Sequence, residues 1–225
     1  MSLNTSSWFM IGLDMLMIVY TLWVISLSNN NRFHTGIGAG LFAWLILLHV
    51  GLSTKSLFPE DISGIVFLLI IFVAVGLIGV LLLTVPVLKT LLLGLSQQQL
   101  LLMQGIRVFF GASFLMQAGL GNMPLAFGIV DGWTHIAAGF FGLVAAFSMA
   151  SHVDETRRAW FANLFGLLDI LIVASTLSLL ILPDITPHGS MMYAVFLPAP
   201  LWLWFHLISI HKLLQEQADQ VGEIA

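Results

Sequence analysis

Seven side chains capable of acid–base chemistry fall inside long apolar runs of this sequence. Arg107, Asp131 and His135 lie within GIRVFFGASFLMQAGLGNMPLAFGIVDGWTH, residues 105 to 135, where two apolar stretches join at Gly121-Asn122-Met123-Pro124. Asp169 follows in the next apolar run and His206 in the last, while Asp14 and His49 lie in the first two. An arginine supplies a fixed positive charge with forked donors, suited to an anionic group or a counter-carboxylate. Carboxyl and imidazole groups accept and release protons. If the turn centres near residue 121 or 122, an antiparallel hairpin sets Arg107 level with His135. Asp131 then lies about 7 Å away along the axis, at ~1.5 Å of rise per residue.

The charges in this set do not balance. Asp14, Asp131 and Asp169 face one arginine, so at least one protonated carboxyl or charged histidine is expected. A site of this composition is expected to bind a polar ligand or relay protons. Its candidate residues are Arg107, Asp131, His135, Asp169, His206, His49 and Asp14, together with Asn163 on the same stripe as Asp169.

The elements that position these residues follow from composition. Hydrophobic residues make up 59% of the 225, charged residues 8%, and the mean hydropathy is +1.03, which excludes a water-soluble domain. Apolar runs of ~20 residues, the length that crosses a hydrocarbon core of about 30 Å, recur throughout. The fold class expected is all-α, a polytopic membrane protein of seven transmembrane helices. The spans read as Ser7 to Leu27, Ile37 to Leu57, Ile62 to Leu88, Gln97 to Gly121, Pro124 to Ser151, a sixth that follows the charged link ending at Arg158 and runs to Leu182, and Met191 to Leu214. Residues 1–214 form one domain, and the polar tail 215–225 is expected to fray. The opening MSLNTSSW lacks a basic n-region and a small-residue cleavage site, so the first run reads as a retained span.

Orientation follows from the cations. Arg32, Lys89, Arg157, Arg158 and Lys212 fall on one side of a seven-span arrangement and only Lys55 on the other. The positive-inside rule then places the N-terminus outside and the C-terminus in the cytoplasm, with the bacterial inner membrane as the expected location. In that frame Arg107, His135 and Asp169 come out roughly 12–18 Å from the cytoplasmic boundary and Asp14, His49 and Asp131 near ~20 Å. His206 comes out lower, near ~10 Å. The ionisable residues thus form one band across the middle, to which the third span contributes none. Gly128, Asp131, His135, Gly139 and Gly142 share one stripe of the fifth span, and Asn163, Gly166, Asp169 and Thr176 one of the sixth. Trp202, His206 and Ser209 share a face of the seventh.

Several chemistries fail on the residues alone. With no cysteine there is no disulfide and no thiolate metal site, and no metal site is expected. No basic patch suggests nucleic acid, and no His-Glu-x-x-His or Gly-x-Ser-x-Gly pattern appears. The last span has no interior lysine, which excludes a retinal Schiff base. Two alternatives stay open. A bis-histidine haem could draw on His49, His135 and His206, although no cofactor is the primary expectation. An intramembrane aspartyl-type hydrolase could use Asp131 and Asp169. It lacks the Gly-x-Gly-Asp sequence, and the rise estimate sets the two aspartates about 12 Å apart.

One resemblance covers the fourth to seventh spans. Arg107-Val108, Phe114-Leu115, Pro124, Phe127-Gly128, Asp131, Trp160, Phe165-Gly166-Leu167-Leu168-Asp169 and His206-Leu207-Ile208-Ser209 resemble a widespread family of bacterial seven-span membrane proteins of unassigned function. The resemblance implies that Arg107, Asp131 and Asp169 act as a set, and it implies no activity. The expectation is an integral membrane protein whose polar core binds or translocates a small solute, coupled to protons. Its partners are the lipid bilayer and the solute or proton. Oligomeric state and enzymatic activity are left open.

Overall fold

The computed structural model describes residues 5–28, 34–185 and 187–224. Among them there is no strand, and seven helical spans are long and apolar enough to cross a membrane. Three are single helices: α1 (Thr5–Ser26), α2 (His34–Ser53) and α3 (Gly64–Thr84). A short α4 (Pro86–Gly94) precedes the fourth span, which comprises α5 (Gln97–Leu102), a 3-10 turn (Met103–Ile106) and α6 (Arg107–Gly119). The fifth is α7 (Leu125–Ser151), and the sixth is α8 (Glu155–Thr176) prolonged by a π turn (Leu177–Ile181). The seventh comprises α9 (Met192–Phe196) and most of α10 (Pro198–Ile224).

The polarity of this bundle is inverted relative to a soluble protein. Arg107, Asp14 and His206 are wholly buried, while Leu47, Leu77, Leu180 and Phe147 are largely exposed. Such a surface suits hydrocarbon rather than water. The fourth and seventh spans are the most buried and α3 is the least, so α3 stands at the exposed edge of the bundle. Its inner side is held by Trp204, whose Nε1 donates to the Val75 carbonyl at 2.9 Å.

Local sequence explains the element ends. Ser96 caps α5 through a reciprocal box: its hydroxyl accepts from the Gln99 amide at 3.1 Å, and the Gln99 side chain accepts from the Ser96 amide at 2.9 Å. The α6–α7 hairpin turns on Gly121 at φ +74, with Asn122 N–H donating to Gln117 and Gly121 N–H to Ala118. This pair of bonds closes a Schellman turn, which favours glycine at its left-handed position. The two helices then meet at backbone distance, because a Cβ on Gly111 would stand 2.4 Å from the Gly132 carbonyl oxygen.

Four expectations need correction. The third span does not run to Leu88: it stops at Thr84, and Pro86 starts a separate helix because the residue before a proline is driven out of the α region. The fourth span is interrupted at Met103–Ile106, where the Tyr20 hydroxyl donates to the Leu102 carbonyl at 2.7 Å. The seventh breaks at Leu197 (φ −120, ψ −67), again just before a proline. The tail does not fray at residue 215: α10 continues to Ile224, since Gln, Glu and Ala there are good helix formers. Arg32, one of the cations used for orientation, lies outside the described residues.

Candidate functional site

The 3-10 turn delivers Arg107 to the first residue of α6, facing α8 and α10. Its guanidinium is completely buried and is tied on three sides. Nη2 donates to Asp169 Oδ2 in a close ion pair, and Nη1 reaches the Gly166 carbonyl at 3.3 Å and His206 Nε2 at 3.1 Å. The plane of Trp202 lies beside it, with Cζ 5.2 Å from the ring centroid. Gly166 makes this geometry possible: a Cβ there would lie 2.3 Å from His206 Nε2 and 3.1 Å from Arg107 Nη1.

From His206 a chain of neutral polar groups runs on. Its Nδ1 lies 3.0 Å from Asn163 Oδ1, and the Asn163 amide donates to the Ala159 carbonyl at 2.9 Å and to Ser209 Oγ at 2.6 Å. Gln97 also donates to Ser209 Oγ, at 2.6 Å. His206, Asn163 and Ser209 are thereby paired, as low-dielectric surroundings demand, while Gln97 Oε1 and Trp202 Nε1 are buried without a partner.

The other side of Arg107 is different. His135 Nδ1 lies 2.9 Å from Asp131 Oδ1 and 3.2 Å from Asp169 Oδ2. Neither contact has hydrogen-bond geometry, so the nitrogen and Asp131 Oδ1 are close without an aligned bond. Asp169 Oδ1 and Arg107 Nε are likewise buried and without a partner. Phe114 and Trp202 meet the imidazole edge-on, with centroids 5.3 and 5.9 Å away. A void of about 50 Å³ lined by Ile71, Val75, Ile170, Val195 and Leu203 reaches His135 from the α3 side.

These distances overturn the 12 Å separation of Asp131 from Asp169, since both carboxylates reach one imidazole nitrogen. The rise per residue measures backbone height and neglects the reach of side chains along the axis. The single band also divides. Arg107, Asp131, His135, Asn163, Asp169 and His206 are brought together, whereas Asp14 and His49 take no part in their hydrogen bonds. His49 is half-buried on α2, with Nδ1 2.8 Å from the Tyr193 hydroxyl. Asp14 is wholly buried, and both of its oxygens lack a partner.

For a bis-histidine cofactor the fit is poor on donor grounds. Both nitrogens of His206 are engaged by Arg107 and Asn163, and His49 belongs to a different cluster. Among the described residues no group of three or more His, Cys, Asp or Glu could hold a metal ion. Four participants were not among the expected site residues. Gly166, Trp202 and Ser209 stood on the right helical stripes, and Gly166 and Ser209 also fall in the segments that carry the resemblance. Gln97 reads in sequence merely as a helix opener.

The model of a family described as Domain of unknown function (DUF8737) matches residues 64–214, and the chain belongs to that family. Six of the eight expected site residues lie within the match; Asp14 and His49 precede it. No curated protein and no solved structure matches the chain.

Proposed function

We propose that this member of the family is a proton-coupled carrier of a small solute, with Asp131, His135 and Asp169 as the proton-exchanging group. The observation that carries the reading is His135 Nδ1 standing between two buried carboxylates without an aligned bond to either. Arg107 fixes one negative charge, on Asp169, by pairing with it. The remaining carboxylate and the imidazole then hold a proton whose position a small ring rotation changes. A structural ion pair needs no such second acid.

Volume supports the proton rather than the solute at this point. A void of about 50 Å³ touches His135. A space of that size holds a few waters or a proton path rather than a multi-atom solute. Intramembrane carboxyl and histidine chains of this kind mark proton relays. The solute would bind elsewhere in the bundle and be coupled through Arg107 and the discontinuity at Leu197.

The protein is read as residing in a bacterial inner membrane with its N-terminus outside, on the charge asymmetry. A reporter fused after Ile224 should be cytoplasmic and one before Asn4 external. Function is tested in proteoliposomes carrying an internal pH dye, under an imposed gradient and with candidate solutes. Proton movement above that of empty vesicles is expected, and it should vanish in Asp131→Asn. Flux that survives Asp131→Asn unchanged would remove the proposed group from the mechanism.

A further inference from the structure

Where α7 gives way to α8, a cleft of about 290 Å³ opens, lined by Phe141, Val144, Asp154, Arg157, Arg158 and Phe161. Two guanidiniums against one carboxylate leave a single net positive charge at its mouth. Arg158 is anchored, with Nη1 donating to Ser148 Oγ at 2.8 Å. Arg157 is exposed and has no hydrogen-bond or ion-pair partner among the described residues. The Asp154 side chain, on a backbone held at φ 50, makes no cap bond to α8 and no ion pair with either arginine among the described residues. Glu155, the neighbouring acid, faces His152 instead, 3.2 Å from its Nδ1.

The inner walls are aromatic. Phe141 stands edge-on to Phe161 at 4.8 Å and to Phe165 at 5.1 Å, and Phe161 is about half exposed. Phe140 and Phe147 on α7 are also exposed and apolar. A monovalent cationic mouth above an apolar slot is the complement of a phosphodiester carried on an acyl chain. It does not match a free polyanion, which Asp154 would oppose, or a zwitterion, which leaves the net charge unanswered.

We infer that this cleft binds an anionic phospholipid, its phosphate on Arg157 and Arg158 and an acyl chain along Phe141 and Phe161. The cations lie on the side of the bundle assigned to the cytoplasm, where anionic lipid headgroups attract juxtamembrane arginines. The assignment depends on placement in a bilayer and not on proton exchange at His135.

The test uses the full chain, purified in detergent and stripped of lipid, with native mass spectrometry as the readout. Phosphatidylglycerol and phosphatidylcholine of identical acyl chains are titrated separately, with inorganic phosphate as competitor. Phosphatidylglycerol should bind more tightly, with each arginine contributing about fivefold. Arg157→Gln, which breaks no contact, should lose about that factor, and Arg157→Gln with Arg158→Gln should abolish the preference. Phe161→Ala should weaken both lipids. Equal binding of the two lipids overturns the inference, as does a preference that survives in Arg157→Gln. Displacement by phosphate at concentrations comparable to the lipid would make the cleft an anion site and would overturn it too.

Discussion

Arg107 Nη1 and His206 Nε2 stand 3.1 Å apart, and because a guanidinium only donates, the imidazole nitrogen must accept. His206 Nδ1 then carries the hydrogen and donates to Asn163 Oδ1 at 3.0 Å. The ring is thereby held as the neutral Nδ1–H tautomer, and it adds no charge to a core that already has one cation and two carboxylates. Nitrogen-15 spectra of the labelled protein should show that tautomer at His206. In Asn163→Leu the preference should weaken, since the acceptor for Nδ1–H is gone. Finding the Nε2–H tautomer would require Arg107 to point elsewhere.

Gly166 is expected to tolerate no side chain. A Cβ there would enter the space of the Arg107–His206 bond, at 2.3 Å from the ring nitrogen, and neither partner can retreat in a filled core. Gly166→Ala should therefore destabilise the protein by about 1–3 kcal/mol, the usual range for overpacking. Thermal unfolding in detergent reads this directly. An unchanged midpoint would mean that the helices separate readily here and that the site is loosely held.

Much of the architecture was legible before any coordinates. Run length revealed the seven apolar spans because a hydrocarbon core sets a minimum length, and the join Gly121-Asn122-Met123-Pro124 between two apolar runs marked the hairpin. A buried guanidinium needs a counter-carboxylate, which left Asp131 and Asp169 as the candidates, and Asp169 is the one that pairs with Arg107. What stayed hidden depends on direction around each helix and on side-chain reach. Depth along the membrane normal put Asp14 and His49 in one band with Arg107, yet they face other neighbours. The same one-dimensional measure held Asp131 apart from Asp169, which His135 in fact links. The breaks at Thr84 and Leu197 each precede a proline; the 3-10 turn before Arg107 has no comparable marker in sequence.

Asp14 offers a separate test. Its carboxyl is wholly buried, and both oxygens lack a partner. An unsatisfied buried polar group costs about 1–3 kcal/mol, so Asp14→Leu should stabilise the fold by a similar amount. If Asp14 serves transport, the stabilised variant should also lose flux, since strained functional groups often trade stability for activity. A lowered unfolding midpoint would instead reveal a partner for this carboxyl in the folded protein.

The Arg107–Asp169 pair separates structure from function most sharply. Arg107→Leu leaves Asp169 buried without its counter-charge and removes the donor to His206, which should cost about 3–5 kcal/mol. Asp169→Leu should cost about as much, by stranding the guanidinium. The two residues share an ion pair, so their effects should be strongly non-additive. Replacing both with leucine should recover most of the loss, leaving about 1–3 kcal/mol for the unpaired His206 nitrogen. Unfolding in detergent measures all four corners of this cycle. Additive losses would mean that the pair is not coupled and that the core is organised otherwise. The recovered double variant should fold and still fail to move protons in vesicles, because Asp131 and His135 would then face no fixed charge. Full flux in that variant would reduce Arg107 and Asp169 to a structural clamp, leaving any proton traffic to Asp131 and His135 alone.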